Sequence, residues 1–162
     1  MNKRKINMIK GVITNRAFTI IELLIVMAII GILATTMVLI LNPETMLARA
    51  RDSQRDTDIN SIVMLIRQYA SDHSGTLPDT DGDPDTSNFP TSLTCIGTSP
   101  ACFDLASAGD DDEAIIPDYT AAIPKDPKTG VDENIGYLIM VDTYNHITAS
   151  ASGETKTINV TK

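Results

Sequence analysis

The chain has 162 residues, of which 43% are apolar and 4% aromatic, and its formal net charge is −8. This length suits one ordinary domain, or a small domain with an anchor. Binding to the phosphate backbone of a nucleic acid requires positively charged side chains, and this chain is acidic. We therefore expect no nucleic-acid binding by its bulk surface. Two cysteines and two histidines leave little room for a Cys/His zinc site.

The charges are strongly segregated along the chain. Residues 1–17 carry five basic side chains and no acid, whereas residues 18–71 have a net charge of −1. Residues 72–162 carry 4 basic and 16 acidic side chains, a net charge of −12. The sequence is therefore a basic leader, a nearly neutral middle and a strongly acidic end.

An uncharged apolar run extends from Leu23 to Leu41, and its few interruptions are Gly31, Thr35 and Thr36. As a helix this run covers about 28 Å, close to the thickness of a bilayer's hydrocarbon core. The alternative is a buried core helix, which is usual for runs of about 10–14 residues. Because the basic leader precedes the span, we expect the N-terminus in the cytoplasm and the acidic part outside. An ordinary secretory signal fits badly, since no convincing small-residue cleavage site follows the run.

A motif stands at the start of the apolar run. The sequence NRAFTIIELLIV, from Asn15 to Val26, closely resembles the prepilin signature of type IV pilins and type II secretion pseudopilins. The resemblance implies that a membrane-embedded prepilin peptidase cuts between Ala17 and Phe18 and that Phe18 is then N-methylated. The residue before the cut is normally glycine in this family, and Ala17 departs from that pattern.

Glu22 is a single acidic residue directly before the apolar run that begins at Leu23. Placing a carboxylate within a membrane span raises the free energy of insertion by about 2.5–3.5 kcal/mol. The helix macrodipole stabilises a carboxylate near the N-terminus by only about 0.3–1 kcal/mol. The resemblance places Glu22 at the fifth mature position, where the family's acid pairs with the N-terminal amine of a neighbouring subunit and sets the axial register. The alternative is an acid that simply sits at the membrane interface.

Gly31 and Pro43 bracket a weaker stretch of the first helix. Pro43 cannot donate to the carbonyl of Leu39, and its ring crowds that turn, so a kink or local melting is expected. Filaments of the family often contain an unwound segment in this region, which the resemblance places at Gly31–Pro43. In a single subunit we expect a mild kink within a continuous helix.

Beyond Pro43, apolar residues recur at three- and four-residue spacing, which predicts an amphipathic helix over residues 44–75. Gly75 and Pro78 then end it. Charged side chains interleave with the apolar positions, and we expect them to form a solvated face: Arg49, Arg51, Asp52, Arg55, Asp56 and Asp58.

The end of the chain carries strand patterns, at Ile135–Val141, His146–Ser150 and Lys156–Val160. These predict an antiparallel meander packed on the amphipathic helix, an α+β fold in which a long N-terminal helix carries a small sheet head. The segment IPKDPKTG at residues 123–130 resembles the proline-rich turn that enters the pseudopilin sheet. The predicted parts are a leader (1–17), a transmembrane or filament-core helix (18–43), the amphipathic spine (44–75) and an acidic head (76–162).

Cys95 and Cys102 lie in the loop-rich stretch before the sheet. The predicted topology places them outside the cytoplasm, where a disulfide between them is the default. The alternative is a pair of free thiols, and a redox-active pair is disfavoured because the spacing is not C-x-x-C.

Four carboxylates stand on alternate residues in the same stretch. Alternating oxygens on a turn suit a hard cation such as Ca²⁺, although the match to an EF-hand loop fails at Pro84 and Pro90. The alternative is a solvated acidic loop, and we expect no other cofactor. The candidate ligands are Asp79, Asp81, Asp83 and Asp85.

No catalytic motif stands in the sequence, so we do not expect an enzyme. The predicted function is a structural subunit of a type IV pilus-like filament, held in the cytoplasmic membrane as a single-pass protein and later part of an extracellular pilus. The resemblance implies three partners: further copies of the chain in a homo-oligomeric filament, prepilin peptidase, and the pilus or secretion assembly machinery. One alternative is a secretion pseudopilin in a periplasmic pseudopilus. Another, of a different class, is a single-span anchored protein whose acidic head binds cations or a ligand.

Overall fold

A computed structural model of the chain describes residues 18–83, 86–109 and 113–162. An apolar helix, a second helix and a four-stranded antiparallel sheet make up the α+β, pilin-like arrangement that the sequence predicts. The chain divides into two compact units, one ending at Asn42 and the other spanning Pro43–Lys162. The elements are α1 (Ile20–Leu41), α2 (Pro43–Asp72), β1 (Thr94–Cys95), an irregular helical turn (Ile115–Tyr119), β2 (Tyr137–Val141), β3 (Ile147–Ser152) and β4 (Thr157–Thr161).

The helical segment is interrupted at Asn42. Helix α1 continues through Gly31 without a break and ends at Leu41, and Asn42 takes a left-handed conformation with φ 39°. Pro43 is the first residue of α2, a position where its fixed φ suits the helix and its missing N–H needs no partner. The chain therefore ends one helix and starts another at the place where the sequence predicts a mild kink.

Helix α2 ends at Asp72, three residues before the predicted limit. The N–H of Gly75 donates to the carbonyl of Ala70 at 2.6 Å, and Gly75 has φ +100°. A glycine in the left-handed region that returns a hydrogen bond to the last turn is a common helix stop. Gly75 thus ends the helix, as predicted.

The sheet has the order β1-β2-β3-β4. Strands β2, β3 and β4 form the predicted meander, in which Ile139 lies opposite Ala149 and Ala149 lies opposite Val160. Strand β1 adds to the free edge of β2 and was not predicted, because a strand of two residues has no alternation to read.

The hydrophobic core lies between α2 and the sheet, since α2 packs mainly on β3 and β4. The apolar stripe predicted on this helix is confirmed as its core-facing side from Ile59 to Tyr69, but the prediction is wrong for its first part, since Met46, Leu47 and Ala50 are exposed. Five side chains of the stripe are fully buried, namely Ile59, Ile62, Val63, Ile66 and Tyr69. The sheet contributes Tyr137, Ile139, Ala149 and Ala151 from the other side.

Cys95 and Cys102 form a disulfide, so the prediction from their spacing and compartment is confirmed. The loop that it closes returns to β1, because the N–H of Phe103 donates to the carbonyl of Cys95 at 2.7 Å. The disulfide and this bond together fasten the loop to the edge of the sheet.

Replacing both cysteines with serine is expected to lower the free energy of unfolding of the head by about 2–3 kcal/mol, since the bond restricts a short loop of the unfolded chain. Urea unfolding of a fragment spanning residues 43–162, followed by far-ultraviolet circular dichroism, measures this change. An unchanged midpoint in the double variant would contradict a stabilising role for the bond.

Candidate functional site

Helix α1 has no polar face. Residues Ile20–Val38 form a stretch of 19 residues that is long and apolar enough to cross a membrane, and none of it is buried within the chain. Soluble proteins rarely expose an apolar surface of this extent. The helix therefore fits an inner-membrane anchor, and it begins three residues before the span that the charge-free run predicts.

Thr19 caps the N-terminus of α1. Its backbone is extended, with φ −80° and ψ 150°, and its Oγ1 accepts a hydrogen bond from the Glu22 N–H at 3.3 Å. Its carbonyl oxygen accepts from the N–H of Leu23 at 3.2 Å. This is the arrangement by which a threonine satisfies the free N–H groups of a first helical turn.

The predicted processing and assembly residues lie around this cap. Phe18 precedes the helix and is 80% exposed, and Glu22 is an exposed residue in the first turn. A carboxylate in that turn is favoured by the positive end of the helix dipole. Ala17, on the other side of the predicted cut, lies outside the described residues.

The comparison with protein families identifies this segment. The model of the prokaryotic N-terminal methylation motif matches residues 14–38, a range that holds Ala17, Phe18, Glu22 and most of α1. This motif is the signature of type IV pilins and pseudopilins, and the match, which covers a short N-terminal part of the chain, supports a type IV pilin- or pseudopilin-like protein. Comparisons with curated proteins and with solved structures give no match.

A second set of charged side chains lies where the sequence predicts a solvated face. Asp52 and Arg55 are each 2% exposed and Asp58 is 6% exposed, so the prediction is wrong for these three residues. It is correct for Arg49 and Asp56, which are exposed. Three-residue spacing places the buried residues on one side of α2, where they continue the apolar stripe that begins at residue 59 and pack beneath the loops of the head.

Arg55 is the centre of this buried ionic cluster. Its Nε and Nη2 donate to the two carboxylate oxygens of Asp126 at 2.5 and 3.1 Å. Its Nη1 donates to Asp52 at 2.8 Å and to Glu154 at 3.4 Å. The hydrogen-bonded carboxylate of Asp126 raises the pKa of Arg55 above its usual range. Forked arginine–carboxylate pairs of this kind are among the stronger polar contacts in proteins.

Asp52 also binds the tip of the β3–β4 hairpin. Its carboxylate accepts from the N–H groups of Glu154 and Thr155, both at 2.8 Å, and from the Thr155 hydroxyl. The Thr155 hydroxyl, with these N–H groups, holds the pKa of Asp52 well below its usual range in spite of burial. A Cβ atom at Gly153 would lie 2.8 Å from Asp52 and 2.0 Å from the carbonyl oxygen of Lys156. The hairpin therefore needs glycine at its tip to approach the helix.

Asp126 binds the backbone of the proline-rich turn in the same way that Asp52 binds the hairpin tip. One oxygen accepts from the N–H groups of Lys128 and Thr129 at 2.9 and 2.8 Å, while the carboxylate also receives the Arg55 fork. Burial raises the pKa of the Asp126 carboxyl, but Arg55 and the turn's N–H donors outweigh it and hold the pKa well below its usual range. The cluster thus ties α2 to two separate loops of the head.

The outer edge of the cluster is formed by half-exposed side chains around Glu154. Arg51 and Lys128 both donate to the Glu154 carboxylate, at distances of 2.5 and 2.8 Å. Two hydrogen bonds, the stronger effect coming from Arg51 and the weaker from Lys128, lower the pKa of Glu154 to about 2. This carboxylate stays ionised at any ordinary pH.

The buried cluster predicts how the head responds to acid. Three carboxyls have folded-state pKa values below their unfolded values of about 4, so they stabilise the folded state above about pH 4. That contribution is lost as the pH falls through the folded values. We expect the urea midpoint of the 43–162 fragment to change little between about pH 7 and 5 and to drop between about pH 4 and 2. Asp126→Asn should flatten this drop, and an equally steep drop in that variant would contradict the assignment.

The predicted calcium ligands are not brought together in the described part of the chain. Asp79 is buried and accepts from the Gly82 N–H at 3.4 Å, whereas Asp81 accepts from the N–H of Asp83 at 3.1 Å. Asp85 lies outside the described residues. Among the described residues, no group of three or more Asp, Glu, His or Cys side chains is arranged to hold a metal ion. The calcium site therefore stays a prediction.

Sequence reasoning missed the ionic cluster because a charged residue on an amphipathic helix is usually solvated. One signal could have indicated it. The spacing Asp52-x-x-Arg55-x-x-Asp58 is in register with the apolar stripe that follows at Ile59 and Ile62, so the charges continue the buried side of the helix rather than its opposite side.

Proposed function

We propose that the chain is a structural, non-enzymatic subunit of a type IV pilus-like filament, cut between Ala17 and Phe18 by prepilin peptidase and assembled through α1. The observation that carries this proposal is the methylation motif that leads directly into an apolar helix, none of which is buried within the chain over Ile20–Val38. The basic leader supports an orientation with the N-terminus in the cytoplasm.

The exposure of α1 fits two successive environments. In the precursor, lipid covers the apolar side chains all round the helix. In a filament, the corresponding helices of neighbouring copies replace the lipid, so the same surface serves as anchor and as assembly interface. The acidic heads then form the outside of the filament, where their charge is solvated.

Processing changes the charge at the start of this helix. Removal of the leader takes away five positively charged side chains, so the formal net charge changes from −8 in the precursor to −13 in the mature chain. The cut also creates one new positive charge, the α-amino group of Phe18. This amine is the nearest candidate partner for Glu22 once the leader is gone, and pairing between neighbouring copies offsets the cost of placing Glu22 among apolar helices.

The second candidate is a secretion pseudopilin, and the proline-rich turn at residues 123–130 favours it. That turn resembles the pseudopilin segment and docks on α2 through Asp126 and Arg55. The disulfide between Cys95 and Cys102 favours the pilus subunit. Electron microscopy of sheared surface fibres separates the two, because a pilus is long and extracellular whereas a pseudopilus is short and periplasmic.

Glu22→Ala tests the assembly role directly. We expect this variant to insert into the membrane as the wild type does, while its share of the sheared filament fraction falls at least about tenfold, because the amine of the neighbouring copy is left without its partner. Immunoblots of membrane and sheared fractions measure both quantities. Glu44→Ala, which removes an exposed acid from the first turn of α2, is the matched control. Normal incorporation of Glu22→Ala would contradict the proposal.

A further inference from the structure

We infer that the groove beside Asp58 on one copy of the chain receives Arg49 of a second copy, so that an ion pair between these two residues joins neighbouring copies in the filament. This inference rests on the proposed function, because it names a further contact between the copies that form the filament. Two separate features of α2 carry it: a buried carboxylate without a counter-charge, and an exposed arginine without an ion pair.

The groove lies between α2 and the segment that follows the irregular helical turn. Its volume is about 470 Å³, and Asp58 lines it from the side of the helix. Leu65, Met64 and Pro124 provide apolar walls, and Met64 is 62% exposed. A groove of this composition fits an arginine or lysine side chain, because the aliphatic stem packs on apolar atoms while the charged end reaches the carboxylate.

Asp58 is a buried carboxylate whose hydrogen-bond donors are neutral. It is 6% exposed, and it accepts from the side-chain amide of Gln54 and from the hydroxyl of Tyr137, each at 2.7 Å. Burial, followed by the hydrogen bond to Asp58, raises the pKa of Tyr137. The hydroxyl therefore stays protonated and donates, so neither partner supplies a positive charge to the carboxylate.

Two other buried carboxylates show what Asp58 is missing. Asp52 and Asp126 each form an ion pair with Arg55. In the part of the chain that the structure describes, no cationic side chain lies within ion-pair distance of Asp58. Buried charges in proteins are normally paired. Because Asp58 lines an open groove, its counter-charge can come from another molecule.

Arg49 provides a cation on an uncovered side of α2. It is exposed, and it forms no ion pair with any described residue. Met46, Leu47 and Ala50 lie close to it in the sequence and are exposed as well. Spacing of three and four residues places Met46, Arg49 and Ala50 on one side of the helix. An arginine among exposed apolar side chains matches a groove with a carboxylate and apolar walls.

A second copy of the chain is the partner that charge and position favour. Residues 72–162 have a net charge of −12, so closely packed copies repel one another unless their exposed cations meet carboxylates. Arg49 lies within the first two turns of α2, shortly after α1 in the chain. Its contact therefore extends the proposed α1 interface into the next helix. A guanidinium also binds a carboxylate through two parallel hydrogen bonds, which favours arginine at such a contact.

Cysteine cross-linking tests the contact in assembled filaments. We expect a chain with Ala50→Cys and Ser61→Cys, which line the two sides of the contact and leave Arg49 and Asp58 intact, to form disulfide-linked ladders when sheared filaments are oxidised. Positions 50 and 61 are about 16 Å apart along one helix, too far for a bond within one chain. Ala50→Cys with Thr143→Cys, at an exposed turn, is the matched control. Ladders no stronger than those of the control would overturn the inference.

Removal of either charge tests the ion pair itself. We expect Arg49→Ala and Asp58→Asn to reach the membrane at wild-type levels, while their share of the sheared filament fraction falls about fivefold, because each leaves a charge at the contact unpaired. The double variant should lose no more than the weaker of the two single variants, since both changes remove the same pair. Arg67→Ala is the matched control, because Arg67 is an exposed arginine of the same helix that lines a different groove.

The outcomes separate this contact from its alternatives. Normal assembly of Arg49→Ala would overturn the inference, and a defect in Asp58→Asn alone would show that another cation fills the groove. Losses that multiply in the double variant would also overturn it, because independent effects do not come from one ion pair. A wild-type chain that keeps its leader and forms no filament would instead refute the proposed function.

Discussion

Replacing Arg55 with alanine should lower the free energy of unfolding of the head by about 3–5 kcal/mol, because it leaves buried carboxylates without their counter-charge. The guanidinium is 2% exposed and bonds Asp52, Asp126 and Glu154. Neither Asp52 nor Asp126 can reach water easily, so both lose a charged donor that solvent does not replace. We expect the hairpin tip and the proline-rich turn to loosen together.

Two further variants control this experiment in urea unfolding of the 43–162 fragment. Arg55→Lys keeps the charge but loses the fork that engages both oxygens of Asp126, so its loss of stability should be intermediate. Arg49→Ala removes an exposed arginine from the same helix and should change stability by about 0.5 kcal/mol or less. An Arg55→Ala loss no larger than that of Arg49→Ala would contradict the role assigned to the cluster.

Ile66→Ala should destabilise the head by about 2–5 kcal/mol, because it removes a fully buried side chain and leaves a cavity between α2 and the sheet. Met64, two residues away on the same helix, is 62% exposed. Met64→Ala should therefore cost no more than about 0.5 kcal/mol. The same unfolding measurement compares the two. Equal losses would show that the buried side of α2 has been assigned incorrectly.

The features predicted well from the sequence are those with a local signal. The charge-free run of α1 and the motif at Phe18 and Glu22 can be read over about two dozen adjacent residues. The meander could be predicted because β-prone segments alternate with turns. In each case the residues that form the sequence pattern are the same residues that form the helix or strand. Periodicity and composition are therefore enough to predict these elements.

The features that could not be predicted depend on distant partners or on a single residue's conformation. Arg55 forms hydrogen bonds with Asp126 and Glu154, which are 71 and 99 residues away in the sequence. No local sequence pattern predicts those contacts. The break between the helices depends on Asn42 adopting a left-handed conformation, whereas Pro43 by itself is compatible with either a kink or a new helix.

In the proposed function, this chain is a precursor whose leader is removed to expose the start of α1. Mass spectrometry of the protein purified from its native membrane or from sheared filaments distinguishes a processed chain from an unprocessed one. We predict a chain that has lost residues 1–17 and begins with Phe18 carrying one added methyl group. A chain that still begins with the leader would contradict the proposed function and would indicate a permanently anchored single-span protein instead.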